Sequence, residues 1–82
     1  MIVDDEVFNQ IGLKMMMKTL DRFPSIVQLV DTADDGKISV EMAKKGLEKN
    51  YTYALILMDL SMPVMDGFEA TELLRELYEG HQ

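Results

Sequence analysis

Ala54-Leu55-Ile56-Leu57-Met58-Asp59 is an unbroken apolar run that stops on a carboxylate, and Leu60-Ser61-Met62-Pro63-Val64-Met65-Asp66-Gly67 carries the chain out of it. An apolar run of strand length without polar alternation is the pattern of a parallel strand covered on both faces. Pro63 interrupts regular structure because it has no backbone donor. Asp66 is placed to cap a helix from Gly67 to about Tyr78, with Glu69 three residues on as in a capping box. Ala70, Leu73, Leu74 and Leu77 fall on one stripe of that helix and should be its buried side.

Two further strand and helix pairs precede this one. Ile2 and Val3 read as the end of a strand that stops at Asp4-Asp5-Glu6, and a helix follows from about Val7 to Leu20. It is apolar over a wide arc, with Phe8, Ile11 and Met15 on one stripe and Leu13, Met16, Met17 and Leu20 on the next. Phe23-Pro24-Ser25 breaks the pattern. Ile26 to Val30, apolar and β-branched, predicts the second strand, and Asp31-Thr32-Ala33-Asp34-Asp35-Gly36 reads as a polar turn that closes it. The second helix is expected from about Lys37 to Lys49, burying Val40, Ala43 and Leu47 and exposing Lys37, Glu41, Lys44, Lys45 and Glu48. The methionines read as adaptable core fillers, and Tyr51, Tyr53 and Tyr78 as packing residues.

The order strand, helix, strand, helix, strand, helix specifies an α/β domain with a parallel sheet. Right-handed crossovers and a strand order of second, first, third place the first helix on one face and the second on the other. That order changes direction between the first and third strands and opens a crevice beyond their carboxyl ends. Asp4, Asp5 and Asp59 are all expected there. A sequential order would instead separate Asp59 from the acidic pair, and the pattern alone leaves it open.

With 82 residues, 48% hydrophobic and 28% charged, the chain has the make-up of one globular domain with a modest core. It contains no cysteine, so disulfides and thiolate metal sites are excluded and a reducing cytoplasm fits. No run reaches the ~20 apolar residues of a membrane span. Fifteen acids against eight bases give a net charge of −7, with the bases scattered, which argues against direct nucleic-acid binding. Asp31, Asp34 and Asp35 before Gly36 suggest a calcium loop, but Ala33 takes a ligand position and Met42 stands where the bidentate glutamate belongs. His81 has no second ligand placed beside it in sequence.

Three carboxylates in one crevice repel one another and call for a divalent cation; their hard oxygens suit Mg²⁺. A carboxylate beside such an ion can attack phosphorus and become an aspartyl phosphate. Taken singly, Asp4 and Asp5 read equally well as helix-capping residues and Asp59 as a turn residue.

Asp4-Asp5-Glu6 after a strand, Ala33-Asp34-Asp35-Gly36, and Leu55 through Met58-Asp59 and Met62-Pro63 to Asp66-Gly67 together resemble the receiver domain of response regulators and hybrid histidine kinases. The resemblance covers the whole chain, and the Met62-to-Gly67 loop is its specific part. It implies a partial flavodoxin-like (receiver) fold: one α/β domain over 1–82, a three-stranded parallel sheet in order 2-1-3 with three helices, truncated before the family's last two strands and helices.

The resemblance also implies roles. Asp59 would accept a phosphoryl group, Asp5 would bind Mg²⁺ directly, Asp4 partly through water, and Ser61 through its backbone carbonyl. The partner implied is a histidine kinase or a histidine phosphotransfer protein, and the module is a signalling phosphoacceptor rather than an enzyme. The Ser or Thr and the Lys that contact the phosphoryl group in the family have no counterpart in 1–82. A non-catalytic docking module or gene fragment is the alternative, and an aspartate-nucleophile phosphatase ranks last because Ser61 stands where it needs a second acid. Without further strands, the third strand is expected to leave an open edge, favouring marginal stability or self-association.

Overall fold

The structure, a computed structural model, describes residues 1–20 and 30–81. Its elements are β1 (Ile2–Val3), α1 (Val7–Leu20), β2 (Thr32–Ala33), α2 (Gly36–Glu48), β3 (Leu57–Met58) and α3 (Gly67–His81). The sheet is parallel in the order β2-β1-β3, as expected, with β1 central.

Each strand is two residues long, but the ladders run further than the strands. Ile2 N–H donates to Asp31 O (2.9 Å) and Asp4 N–H to Ala33 O (3.1 Å) on one side of β1. On the other side Met1 N donates to Leu55 O (2.8 Å), Leu57 N–H to Met1 O (2.9 Å) and Asp59 N–H to Val3 O (2.9 Å). The last rungs on both sides therefore fix Asp4 and Asp59 at the carboxyl ends of adjacent strands.

The second strand differs from its expected position. Of Ile26 to Val30, residues 26–29 lie outside the described residues, and Val30 is not in a strand. Pairing falls instead on Thr32 and Ala33, opposite Ile2 and Val3, inside the stretch read as a turn. Only Ala33 turns inward and is buried there, so no apolar run marks the pairing. The turn proper starts at Asp34.

α2 and α3 pack together against one face of the sheet. Val40 and Ala43 meet Ala70 and Leu74 in a buried cluster, with Ile56, Met58, Leu73 and Leu77 against it. A second cluster joins Met1, Val3, Ala33 and Met62. The small residues matter here: Ala43 and Ala70 are fully buried, and their lack of bulk lets the two helices approach. Gly36 serves the same end, since a Cβ there would lie 2.6 Å from Met65 O and 2.9 Å from Ala70 Cβ. Asp35 caps α2 by accepting from Ile38 N–H (2.8 Å), and Asp66 caps α3 by accepting from Glu69 N–H (2.9 Å). α3 runs three residues past its expected end at Tyr78.

α1 has the expected ends but turns an unexpected face to the sheet. Gln10 is buried and Leu13, Lys14 and Met17 are half-buried. Phe8 (87% exposed), Ile11, Met15 and Met16 lie in solvent together with Val7. β3 is also more open than a strand covered on both faces: Leu55 is exposed, and Ile56, Leu57 and Met58 are only half-buried. Among the described residues no strand pairs with its outer edge.

Tyr53, just before β3, ties the lower end of the sheet together. Its hydroxyl donates to Asp31 Oδ2, its N–H donates to the Tyr78 hydroxyl (3.2 Å), and its ring meets Tyr51 edge-on at 5.0 Å. Burial first, then the bond to Asp31, holds the phenol above its ordinary pKa. A group whose folded pKa is raised lends stability that is complete below its unfolded value of about 10 and is lost as pH rises past it. Melting temperature should therefore fall above about pH 10, and Tyr53→Phe should flatten part of that fall while lowering stability at neutral pH. An unchanged alkaline slope in the variant would rule out this role.

Candidate functional site

The site lies beyond the carboxyl ends of β1 and β3, where the sheet order places it. One carboxylate oxygen each from Asp4, Asp5 and Asp59 lie within 4.8 Å of one another. Asp4 is buried, Asp59 half-buried and Asp5 exposed, so the cluster is closed below and open above. These three residues were singled out from the sequence, and the fold brings all of them together.

Asp4 and Asp59 are held by local bonds that their sequence neighbours supply. Asp4 Oδ1 accepts from Glu6 N–H (3.0 Å) and from Asn9 Nδ2 (3.4 Å), which secures the chain as it turns into α1. The main-chain carbonyl of Glu6 accepts the first helical N–H groups, from Asn9 (3.1 Å) and Gln10 (3.2 Å). Asp59 Oδ1 accepts from the Ser61 N–H (3.2 Å), which restricts rotation of the carboxylate. Ser61 itself is exposed.

The loop from Leu60 to Asp66 is drawn tightly over the carboxyl end of β3. Gly67 N–H donates to Leu60 O (3.1 Å), and a Cβ on Gly67 would sit 2.6 Å from Leu60 Cα and closer still to Asp59 O. Only glycine fits at that contact. Val64 has φ 70°, a left-handed conformation that is a strained outlier for a β-branched residue. Met62, buried in the core below, anchors the loop between these two points.

The other polar candidates have structural partners. Asp31 accepts from Tyr53, Asp34 from Gln10 and Asp35 from Ile38, so the suspected calcium loop is a set of three separate tethers. The His81 side chain lies outside the described residues. Gln10 was not anticipated. A glutamine on a helix of this composition reads as solvent-facing, and its partners here include main-chain carbonyls that leave no mark in a sequence.

The chain matches the family model of the response regulator receiver domain over residues 1–82. It belongs to that receiver family. This receiver domain is 35% identical over 79 residues to the transcriptional regulatory protein YdfI of Bacillus subtilis, covering 96% of this chain and 33% of that protein. It is 43% identical over 77 residues to hybrid signal transduction histidine kinase B of Dictyostelium discoideum, covering 94% of this chain and 3% of that kinase. Its fold superposes on a mutant receiver domain of the histidine kinase CKI1 from Arabidopsis thaliana with a TM-score of 0.71 and 26% identity, over 98% of this chain and 55% of that one. The receiver domain thus spans about half of that solved chain and a third or less of the two relatives. Its class is two-component signal transduction. Among the described residues no helix is long and apolar enough to cross a membrane.

Proposed function

We propose that this receiver domain accepts a phosphoryl group onto Asp59 from a phosphohistidine of a histidine kinase or histidine phosphotransfer protein, in the cytoplasm and with Mg²⁺. The observation that carries the proposal is the convergence of Asp4, Asp5 and Asp59 within 4.8 Å at the ends of neighbouring parallel strands. An all-carboxylate donor set of this size fits a hard cation that keeps some of its waters. Asp5, Asp59 and the Ser61 backbone carbonyl would hold Mg²⁺, with Asp4 contributing partly through water. Bound there, the ion supplies positive charge against the oxygens of the incoming phosphoryl group.

The chain's own residues do the rest. The Ser61 N–H on Asp59 Oδ1 leaves Oδ2 as the nucleophile. A bond forms from that oxygen to phosphorus as the phosphorus–nitrogen bond of the donor breaks, and the imidazole leaves with the electron pair. Phosphorylation then shifts an equilibrium between two arrangements of the domain, which a partner reads.

The proposal is tested by incubation with Mg²⁺ and acetyl phosphate followed by intact mass measurement. The expected result is a base-labile phosphoryl adduct in the parent protein that is absent from Asp59→Asn. No adduct, or one that persists in the variant, would sink the assignment.

The outer edge of β3 adds a route to self-association, because the half-buried Ile56–Met58 segment pairs with β1 on one side and, among the described residues, with no strand on the other. Sedimentation velocity over a range of concentrations should show dimers or larger species. A single concentration-independent monomer would count against this.

A further inference from the structure

We infer that Gln10 is a positioning residue for the acidic site: its buried side-chain amide fixes the peptide that joins Asp4 to Asp5, and so governs how tightly the cluster takes a divalent cation. The inference rests on the metal reading given above.

Gln10 is 6% exposed, on a helix that turns five large apolar side chains into solvent. Burying an amide is unfavourable unless its hydrogen bonds are replaced. Its neighbour in that respect, Ser39, meets the need within its own helix by donating to Gly36 O (2.6 Å). Gln10 reaches across three segments instead. Its Nε2 donates to Asp4 O (2.7 Å) and to Asp34 Oδ1 (3.1 Å), with Ala33 O at the limit of contact (3.5 Å). The carboxylate partner makes one of these bonds charge-assisted and correspondingly strong.

The bonded carbonyl is the consequential one. Asp4 O belongs to the planar peptide between Asp4 and Asp5, so holding it sets the orientation of that whole plane. The N–H of Asp4 is already held by Ala33 O (3.1 Å), and its Oδ1 by Glu6 and Asn9. With Gln10 in place, the direction in which Asp4 and Asp5 leave the strand is determined on every side. Without it, the peptide can rotate and the two carboxylates lose their fixed relation to Asp59. The bond to Asp34 in turn ties the amide to the start of α2 and keeps it from following α1 outward.

The test is Mg²⁺ titration calorimetry on the folded proteins, paired with melting curves in chelator. Gln10→Met keeps the size and removes the amide, and it should bind Mg²⁺ about 10-fold to 100-fold more weakly than the parent, the usual range for outer partners of metal ligands. A purely structural role would lower the melting temperature and leave the Mg²⁺ affinity of the folded protein unchanged. Should Gln10→Met not fold, the exposed partner decides. Asp34→Ala removes the anchor and is expected to weaken Mg²⁺ binding several-fold, whereas Asp34→Asn keeps the acceptor oxygen and should stay within about two-fold of the parent, the residual being screened charge. Parent-like affinity in folded Gln10→Met, or equal affinities in the two Asp34 variants, would overturn the inference alone. A parent protein that binds no Mg²⁺ at millimolar concentration would overturn the metal reading and the inference with it.

Discussion

Alanine in place of Gly67 is expected to abolish the cooperative melting transition of this receiver domain. The added methyl carbon would lie 2.6 Å from Leu60 Cα and also against Asp59 O. Both are main-chain atoms, so no side chain can swing aside; either α3 lifts away or the end of β3 shifts. Overpacking of this kind costs about 1–3 kcal/mol and sometimes more, a large share of the few kcal/mol by which domains are stable. Gly12 provides the control. A Cβ there meets nothing within 4 Å, and Gly12 lies inside α1. Gly12→Ala should therefore gain about 0.5–1 kcal/mol from helix propensity and raise the melting temperature. Circular dichroism melts of the two variants side by side read both effects, and a parent-like transition in Gly67→Ala would show that α3 does not start against the Asp59–Leu60 peptide.

The second large effect concerns Mg²⁺, and it takes the form of a crossover. In chelator, Asp59→Asn should melt higher than the parent protein, because it removes one of three like charges whose oxygens lie within 4.8 Å. A like-charge pair about 4 Å apart costs about 1 kcal/mol in water, and salt reduces this where Asp5 is exposed. A net gain on the order of 1 kcal/mol would shift the melting temperature by about 4–8 °C in a domain of this size. The amide oxygen of asparagine can still accept from Ser61 N–H, so the loop should remain in place. In excess Mg²⁺ the order should invert, since an ion at about a hundred times its dissociation constant stabilises the parent by about 2.7 kcal/mol. Asp5→Asn should behave in the same way. Parallel Mg²⁺ responses in parent and variants would mean that the carboxylate cluster is not where the ion binds.

Much of this arrangement was legible in the sequence, and the exceptions share a physical cause. Three strand and helix pairs with right-handed crossovers left two strand orders open; the resemblance to receivers pointed to 2-1-3, and with that order comes the meeting of Asp4, Asp5 and Asp59. Asp66 and the stripe of Ala70, Leu73, Leu74 and Leu77 were readable because capping and helical spacing are local. β2 was not, because its place is set by register against β1, and Thr32 with Ala33 offers only one small buried side chain. The orientation of α1 was hidden for a related reason. Both of its stripes are apolar, and the inward face, with Gln10, Leu13 and Met17, matches neither as a whole, because Gln10 is held by partners that are not visible in composition. Hydrophobic pattern indicates that a helix is buried on one side; where two sides qualify, only the packed sheet selects between them.

Val64 holds one more consequence. A β-branched residue at φ 70° stores roughly 1–3 kcal/mol of conformational energy. Any alternative shape of the Leu60–Asp66 loop that returns residue 64 to an extended backbone recovers that energy, so the gap between the present shape and such an alternative is narrower by the same amount. On the proposed function, phosphorylation of Asp59 would then need less differential stabilisation to tip the population, by about a factor of ten for each 1.36 kcal/mol of stored strain. Replacing Val64 by a residue at ease in the left-handed region would relieve the strain and make the present loop shape harder to leave.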